Sequence, residues 1–422
     1  MNGRVTPTDS IEKGNYVVVQ KVGGEHIRVL RLTPKQKVLI EKLKFDAESV
    51  FGQPYGLFEV SSGQALPVCA SQLVQEEGVG DIELRDVNGS GSADSESTVV
   101  EEIPPDLNPA QAHQKLSQRD VLSLKDQGIT AGELVSKLVE GSKSFSTRTE
   151  YSKSKYIRRK TKKHSDRVLI LKPTVRLLTR SYCMKDCVRV ANLRVDQLGM
   201  IIQLAGVHHG RNVLVFDQVL GLVSAGVLDR LGGQGACIHL HRGLIAQSIP
   251  CVHSMNFSEQ MLSTFLPVRI SSLMGTAKER EDEKEEVVDD ENGDGGVEID
   301  SIASRKADRL AREQRGLKLM EEGVDVLIIA TRTVDPVSIL DATFSRLRPS
   351  GSVVVYAPHM EQTVEAHRWL MSHDCVNVRL SDQMLRIHQV LPDRTHPLMA
   401  QQVVGGQLLS GIKVIPTESS SW

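Results

Sequence analysis

The chain has 422 residues, of which 40% are hydrophobic and 25% charged, and its 51 Lys and Arg nearly cancel its 53 Asp and Glu. That is enough material for two domains with linkers, and the composition is ordinary for a globular protein. No apolar run approaches the roughly 20 residues that cross a bilayer, and the polar N-terminus does not read as a signal peptide. The six cysteines, at 69, 183, 187, 237, 251 and 375, are scattered, and Cys183 and Cys187 lack the second pair of a zinc site. Reduced thiols in a nuclear or cytosolic compartment are the expectation. The near-neutral sum hides strong local asymmetry, so local charge is the better guide to partners.

Residues 1–75 predict a small β-barrel-like domain. The runs Tyr16–Gln20, His26–Leu32, Lys37–Ile40, Leu57–Val60 and Leu66–Val68 are short, apolar or alternating, and glycines and Pro54 punctuate them. Residues 76–112 turn acidic and rich in Ser and Gly, as a flexible linker does. Residues 113–165 predict two short helices and a basic segment. The first helix starts at Ser117–Asp120 and stops at Gly128. The second opens on the capping box Thr130–Glu133, stops at Gly141, and carries Leu134, Val135, Leu138 and Val139 on its apolar face.

The basic segment, Ser152–Lys163, holds seven Lys or Arg, one aromatic and no acid. This density suits phosphate contacts, and Tyr156 is placed to stack on an exposed base. A nuclear-import signal and a solvated charged face are the two other readings of the same residues.

From residue 166 to 422 strands and helices alternate, which predicts a doubly wound parallel sheet covered on both faces. Strands are expected near 168–171, 212–217, 236–240, 325–330, 352–356, 376–379 and 408–415. Within residues 276–302 a glycine-bearing acidic stretch has no core pattern; Lys278–Asp300 holds twelve acids against three bases, as in a disordered surface insertion. A mostly polar helix is expected over 303–321.

The most informative stretch runs from Asn212 to His241. Asn212–Asp217 reads as a buried parallel strand, Leu220–Arg230 as a helix, and Ala236–His241 as a second strand. A nucleotide-cofactor fold wants a glycine-rich turn after the first strand, so that backbone approaches the ligand, and an acid after the second for the ribose hydroxyls. Here the turn is Asp217–Gly221 with a single glycine, and the second strand ends in His241. The scaffold is present and its cofactor site is degenerate.

Other chemistry is sparse. In methyltransferases acting on a base nitrogen, the end of the fourth strand usually carries an acid or amide beside the target. Arg332 stands there instead and cannot serve as a base, although it can hold a phosphate or an acidic neighbour. Two prolines stiffen the loop Val390–Pro397, which carries Arg394 and His396. Neither His208–His209 nor His239 with His241 has the spacing of a metal site.

Several stretches taken together resemble the non-catalytic subunit of the eukaryotic tRNA (adenine-58-N1) methyltransferase. They are Leu43–Phe45 with Phe51–Val60, Gln114–Asp120 with Leu124–Lys125, Lys155–Lys160, Leu193–Asp196, Gly221–Leu222 with Asp229–Gly235, and Gln389–Pro397. The resemblance implies a Rossmann-like methyltransferase fold that binds no cofactor of its own and has no catalytic or metal-ligating residues. S-adenosylmethionine would reside in a paralogous catalytic subunit, paired with this chain two and two in a nuclear heterotetramer. On that reading Lys153, Lys155, Tyr156, Arg158, Arg159, Lys160, Lys162 and Lys163 contact tRNA, with Arg332 and Arg394 as further RNA-binding or junction residues. A self-sufficient RNA methyltransferase and a translation-linked RNA-binding scaffold are the alternatives.

Overall fold

A computed structural model of the chain describes residues 10–22, 26–61, 63–68, 116–126, 131–142, 144–149, 152–153, 155–157, 159–160, 166–243, 249–275, 299–390, 395–399 and 401–415. The chain divides into two compact units, Met1–Lys172 and Pro173–Trp422.

The first unit is built on six N-terminal strands: β1 (Tyr16–Lys21), β2 (Ile27–Arg31), β3 (Lys37–Ile40), β4 (Leu43–Asp46), β5 (Gly56–Ser61) and β6 (Gln64–Pro67). A seventh, β7 (Arg167–Leu171), joins them in a five-stranded sheet of order β2-β1-β7-β5-β6, while β3 and β4 form a separate hairpin. The sequence expectation placed residues 168–171 at the start of the second domain. Instead β7 pairs antiparallel with β1 and β5, its Val168 and Ile170 entering the core with Val17, Val19 and Phe58. A strand alternating apolar residues with period two buries one face against whichever sheet offers partners, and here the N-terminal strands do.

The two expected helices are present as Gln118–Asp126 and Ala131–Glu140. Ser117 and Asp120 cap the first reciprocally, Ser117 Oγ accepting the Asp120 N–H and Asp120 Oδ2 accepting the Ser117 N–H. Leu134, Val135 and Leu138 of the second are buried.

The second unit is a seven-stranded sheet. Its strands are β8 (Asn212–Asp217), β9 (Ala236–His241), β10 (Phe265–Arg269), β11 (Val324–Ala330), β12 (Leu347–Ala357), β13 (Cys375–Ser381) and β16 (Gln407–Lys413). Their order is β10-β9-β8-β11-β12-β16-β13. The strands β10 to β12 run parallel, whereas β16 is antiparallel to both its neighbours, so the sheet is mixed at this end. The order in which successive strands are added reverses between the parallel neighbours β8 and β11, which makes the crevice at their carboxyl ends the topological switch point where such sheets bind ligands.

Strands β8, β9 and β11 are buried nearly throughout, and the helices Val175–Asp186, Val195–Ala205, Leu222–Leu231, Ile299–Glu322, Pro336–Thr343 and Met360–Ser372 accompany the sheet. Full burial of a Val, Leu or Ile in such a strand contributes roughly 1.5–3 kcal/mol. The helix expected at 303–321 begins earlier, at Ile299; residues 276–298 of the acidic insertion lie outside the described residues. Between β13 and β16 the chain leaves the sheet as an arm, described at residues 382–390, 395–399 and 401–406. Its two sides meet at β14 (His388–Gln389) with β15 (His396–Pro397), and at a bridge between Met384 and Val404.

Candidate functional site

Asp217 ends β8 at the switch point, buried, and its carboxylate is spent on its own turn. Oδ1 accepts the backbone N–H of Val219 at 2.8 Å and of Gly221 at 3.2 Å. Oδ2 accepts the N–H and the hydroxyl of Ser224 at 2.9 and 3.1 Å, and Ser224 Oγ lies 3.0 Å from His239 Nδ1 on the next strand. The turn itself is tight: Leu220 has φ 62° and Gly221 φ 75°. A Cβ added at Gly221 would meet Ile249 Cβ at 2.9 Å, so an isoleucine already covers this face of the glycine. Backbone that would approach a cofactor in a donor-binding fold is here packed against the chain's own side chain.

The other side of the crevice is closed by Gln218, which occupies a position where a cofactor turn would prefer glycine. Gln218 Oε1 accepts three successive backbone N–H groups, those of Arg332, Thr333 and Val334, at 2.9, 3.1 and 3.1 Å. Three amides converging on one oxygen form a small nest of the kind that elsewhere holds a ligand's anionic oxygen. A neutral amide from the adjoining strand fills it.

At the end of β9, His241 stands where a ribose-binding acid is expected. It is 5% exposed, and its Nδ1 finds no hydrogen-bond partner among the described residues. Burial pushes its imidazole below the ordinary range despite the opposing influence of the Gly243 backbone and Glu313, so it is neutral at pH 7. Beside it, Glu313 is committed to Arg269 Nε at 2.9 Å and to the Ser272 hydroxyl at 2.7 Å. His239 is likewise held below the usual histidine range by burial. A groove of about 580 Å³ exists in this unit, but it runs between helices and is lined by residues such as Val175, Leu198 and Gly226; Asp217, His241 and Ala330 do not line it.

The basic segment is anchored by its aromatic. Tyr156 is half-buried, donates its hydroxyl to Leu138 O at 3.3 Å, and sets its ring 5.6 Å from that of Phe145. The Arg148 guanidinium and the Lys160 ammonium lie 4.9 and 5.3 Å from the Tyr156 ring centroid. The ring expected to stack on a base is therefore occupied by intramolecular partners. Lys155 and Arg159 are exposed, and Lys153 and Lys160 half-buried. Arg158, Lys162, Lys163 and Arg394 lie outside the described residues. Arg332 is exposed at the end of β11, in the second unit, and only its backbone takes part in the Gln218 contact.

Sequence reasoning missed Gln218, Ile249 and Arg148. The first was visible as a non-glycine in the turn, whereas nothing local marks Ile249 as its lid or Arg148 as a partner of Tyr156.

The model of the Gcd10p family matches residues 10–294. The chain belongs to that family. Among similar proteins, the tRNA (adenine(58)-N(1))-methyltransferase non-catalytic subunit trm6 of Dictyostelium discoideum is 30% identical over 435 residues, covering 97% of this chain and 80% of that protein. Its Mus musculus counterpart, TRM6, is 28% identical over 463 residues, covering 96% and 88%. Among solved structures, a SAM-dependent O-methyltransferase from Thermotoga maritima aligns with TM-score 0.52 at 11% identity, covering 98% of each chain. The Gcd10p-family chain thus has a Rossmann-like methyltransferase fold. The strand order read from chain position, third, second, first, fourth, fifth, seventh, sixth, accords with that.

Proposed function

We propose that this chain is the non-catalytic, tRNA-binding subunit of a tRNA (adenine-58-N1) methyltransferase complex. The observation that carries the reading is the switch-point crevice filled by the protein's own groups, Gln218 in the amide nest and Ile249 on the turn glycine. A chain so filled keeps the architecture and leaves the methyl donor, S-adenosylmethionine, to a catalytic partner. Arg332 at the end of β11 cannot accept the proton that methylated N1 gives up. What this chain contributes is surface.

Two surfaces support the reading. Lys155, Arg159 and their neighbours in 152–163 offer cations for the tRNA phosphate backbone, with Tyr156 holding the segment to the helix Ala131–Glu140. The arm 382–406 exposes Met399 (94%), Val390 (76%) and Met384 (67%). Several exposed apolar side chains on one short arm fit a protein contact, and the catalytic subunit is the proposed occupant, in a two-plus-two nuclear assembly. The name carried by the relatives, a non-catalytic subunit, requires such a partner for those proteins.

The test is reconstitution. Purified alone, neither this chain nor the catalytic subunit is expected to methylate tRNA efficiently; mixed, they are expected to do so. Efficient methyl transfer by this chain alone would end the proposal.

A further inference from the structure

The arm leaves the sheet after β13 and returns to β16, and something must hold its two sides while its apolar residues face outward. The holding groups come from far away in sequence, from the segment joining Cys187 to the helix Val195–Ala205. Arg194, only 4% exposed, extends its guanidinium between the two sides of the arm. Nη1 donates to Val403 O at 2.7 Å on the returning side, and Nη2 donates to Gln383 O at 2.9 Å on the outgoing side. Asp196 completes the fork, accepting from Nε at 2.9 Å and Nη2 at 2.7 Å. Burial alone would raise the Asp196 carboxyl, but the Arg194 hydrogen bonds and charge override it and hold it below its ordinary value.

Weaker ties flank this one. Gln402 Nε2 donates to Asn192 O at 3.1 Å, Gln197 Nε2 donates to Gly406 O, and Tyr356 donates its hydroxyl to Ala191 O at 2.8 Å while accepting the Gly406 N–H at 3.0 Å. The approach is close enough to demand glycines. A Cβ at Gly405 would sit 2.0 Å from Gln197 Oε1, and one at Gly406 2.4 Å from Ala357 O. Guanidinium suits the central place because its planar fork serves two carbonyls and a carboxylate at once, which an ammonium on a flexible stem does less well.

We infer that Arg194 is the positioning residue of the arm: its buried guanidinium fixes both sides of residues 382–406 against the helix Val195–Ala205, and thereby sets the apolar face that the catalytic subunit meets. The inference rests on the subunit reading above. It also gives a role to Leu193–Asp196, a stretch that neither the basic segment nor the filled crevice explains.

The experiment uses the full chain with its catalytic subunit and three substitutions: Arg194→Met, Arg194→Lys and, on the arm itself, Met399→Asp. Amide hydrogen exchange reads the arm and the core sheet separately, and the dissociation constant for the catalytic subunit reads docking. Arg194→Met is expected to speed exchange in 382–406 at least tenfold, leave β8, β9 and β11 protected, and weaken partner binding at least tenfold. Arg194→Lys is expected to recover part of both losses. Partner binding at the wild-type level by Arg194→Met overturns the inference, with or without a faster-exchanging arm. Loss of core protection in parallel with the arm also overturns it, because the residue would then be merely structural. If Arg194→Met does not fold, Gln402→Ala carries the test, with about a threefold change expected in the same two readouts and no change overturning the inference. Met399→Asp keeps the two claims distinct. If it binds the partner normally, the arm is not the dock and the subunit surface was misassigned; if it alone loses binding, the dock stands and the role of Arg194 falls.

Discussion

The carboxyl ends of β8, β9 and β11 and the arm between β13 and β16 are opposites built on one sheet. At the strand ends nearly every polar group is satisfied within the chain: Asp217 by its turn and Ser224, the three amides after β11 by Gln218, Glu313 by Arg269 and Ser272. On the arm, large apolar residues face outward and polar ties lie underneath. In a ligand-binding sheet the unsatisfied groups gather in the crevice; here the unspent surface has moved to the periphery. Self-satisfaction stabilises a fold and, on the proposed reading, removes a binding site by the same contacts.

The sharpest way to break this contrast is on the basic segment, where the proposed work is electrostatic. Lys155→Glu with Arg159→Glu is expected to weaken tRNA binding by the assembled complex about a hundredfold near 0.1 M salt and to lower the log–log salt slope by about 2. Fluorescence anisotropy over a salt series measures both; an unchanged slope would remove these residues from the interface. Tyr156→Ala should cost less, about 1–3 kcal/mol of local stability through lost ring contacts with Phe145, Arg148 and Lys160, seen as faster proteolysis of 144–163 with the second unit's melting intact.

In the closed crevice, Gln218→Ala leaves three amides seeking partners. Thermal melts should register a loss of about 0.5–1.5 kcal/mol, the net worth of a hydrogen bond whose amides water can partly serve instead. A variant as stable as wild type would mean that water serves equally well and that the crevice is not closed by this side chain.

Acid should weaken the second unit gradually. His239 and His241 both titrate below their unfolded value because burial disfavours their charged forms. The unfolded chain therefore takes up protons first, so stability is full above the unfolded pKa of about 6.5 and declines as pH falls toward the depressed folded values. Melting temperature measured from pH 7.5 to 5 should fall, and His239→Asn should flatten the slope; a flat wild-type profile contradicts the assignment. The smallest effect belongs to Arg332→Ala, expected to change tRNA binding less than threefold, since it removes a single exposed cation.

Much of the sheet was legible in sequence. The apolar runs of β8, β9 and β11 are continuous and buried nearly throughout, so their pattern states their place. Three failures have physical reasons. The apolar run of β7 fits either sheet, and the choice was made by β1, some 150 residues earlier in the chain. Pro267 disguised β10, although proline is tolerated there because β10 is the edge strand of the sheet among the described residues. The final strand's antiparallel direction follows from the arm, whose length and path no periodicity records.

The site was half legible. The single glycine of Asp217–Gly221 and the histidine at the end of β9 were plain in the sequence, and the expectation of a degenerate cofactor site rests on them. The groups that pack around the turn and the arm were not: Ile249 lies 28 positions beyond Gly221, Gln218 acts on amides more than 110 positions away, and Arg194 reaches Val403 across 209. Contacts of that span are products of the fold. They leave no trace in local spacing.

Calorimetric titration of S-adenosylmethionine tests the central claim most directly, comparing this chain alone with the assembled complex. The account predicts no binding heat from the lone chain at concentrations up to a millimolar, and one donor site per pair of subunits in the complex. Micromolar binding by the lone chain, abolished by Asp217→Ala, would contradict it.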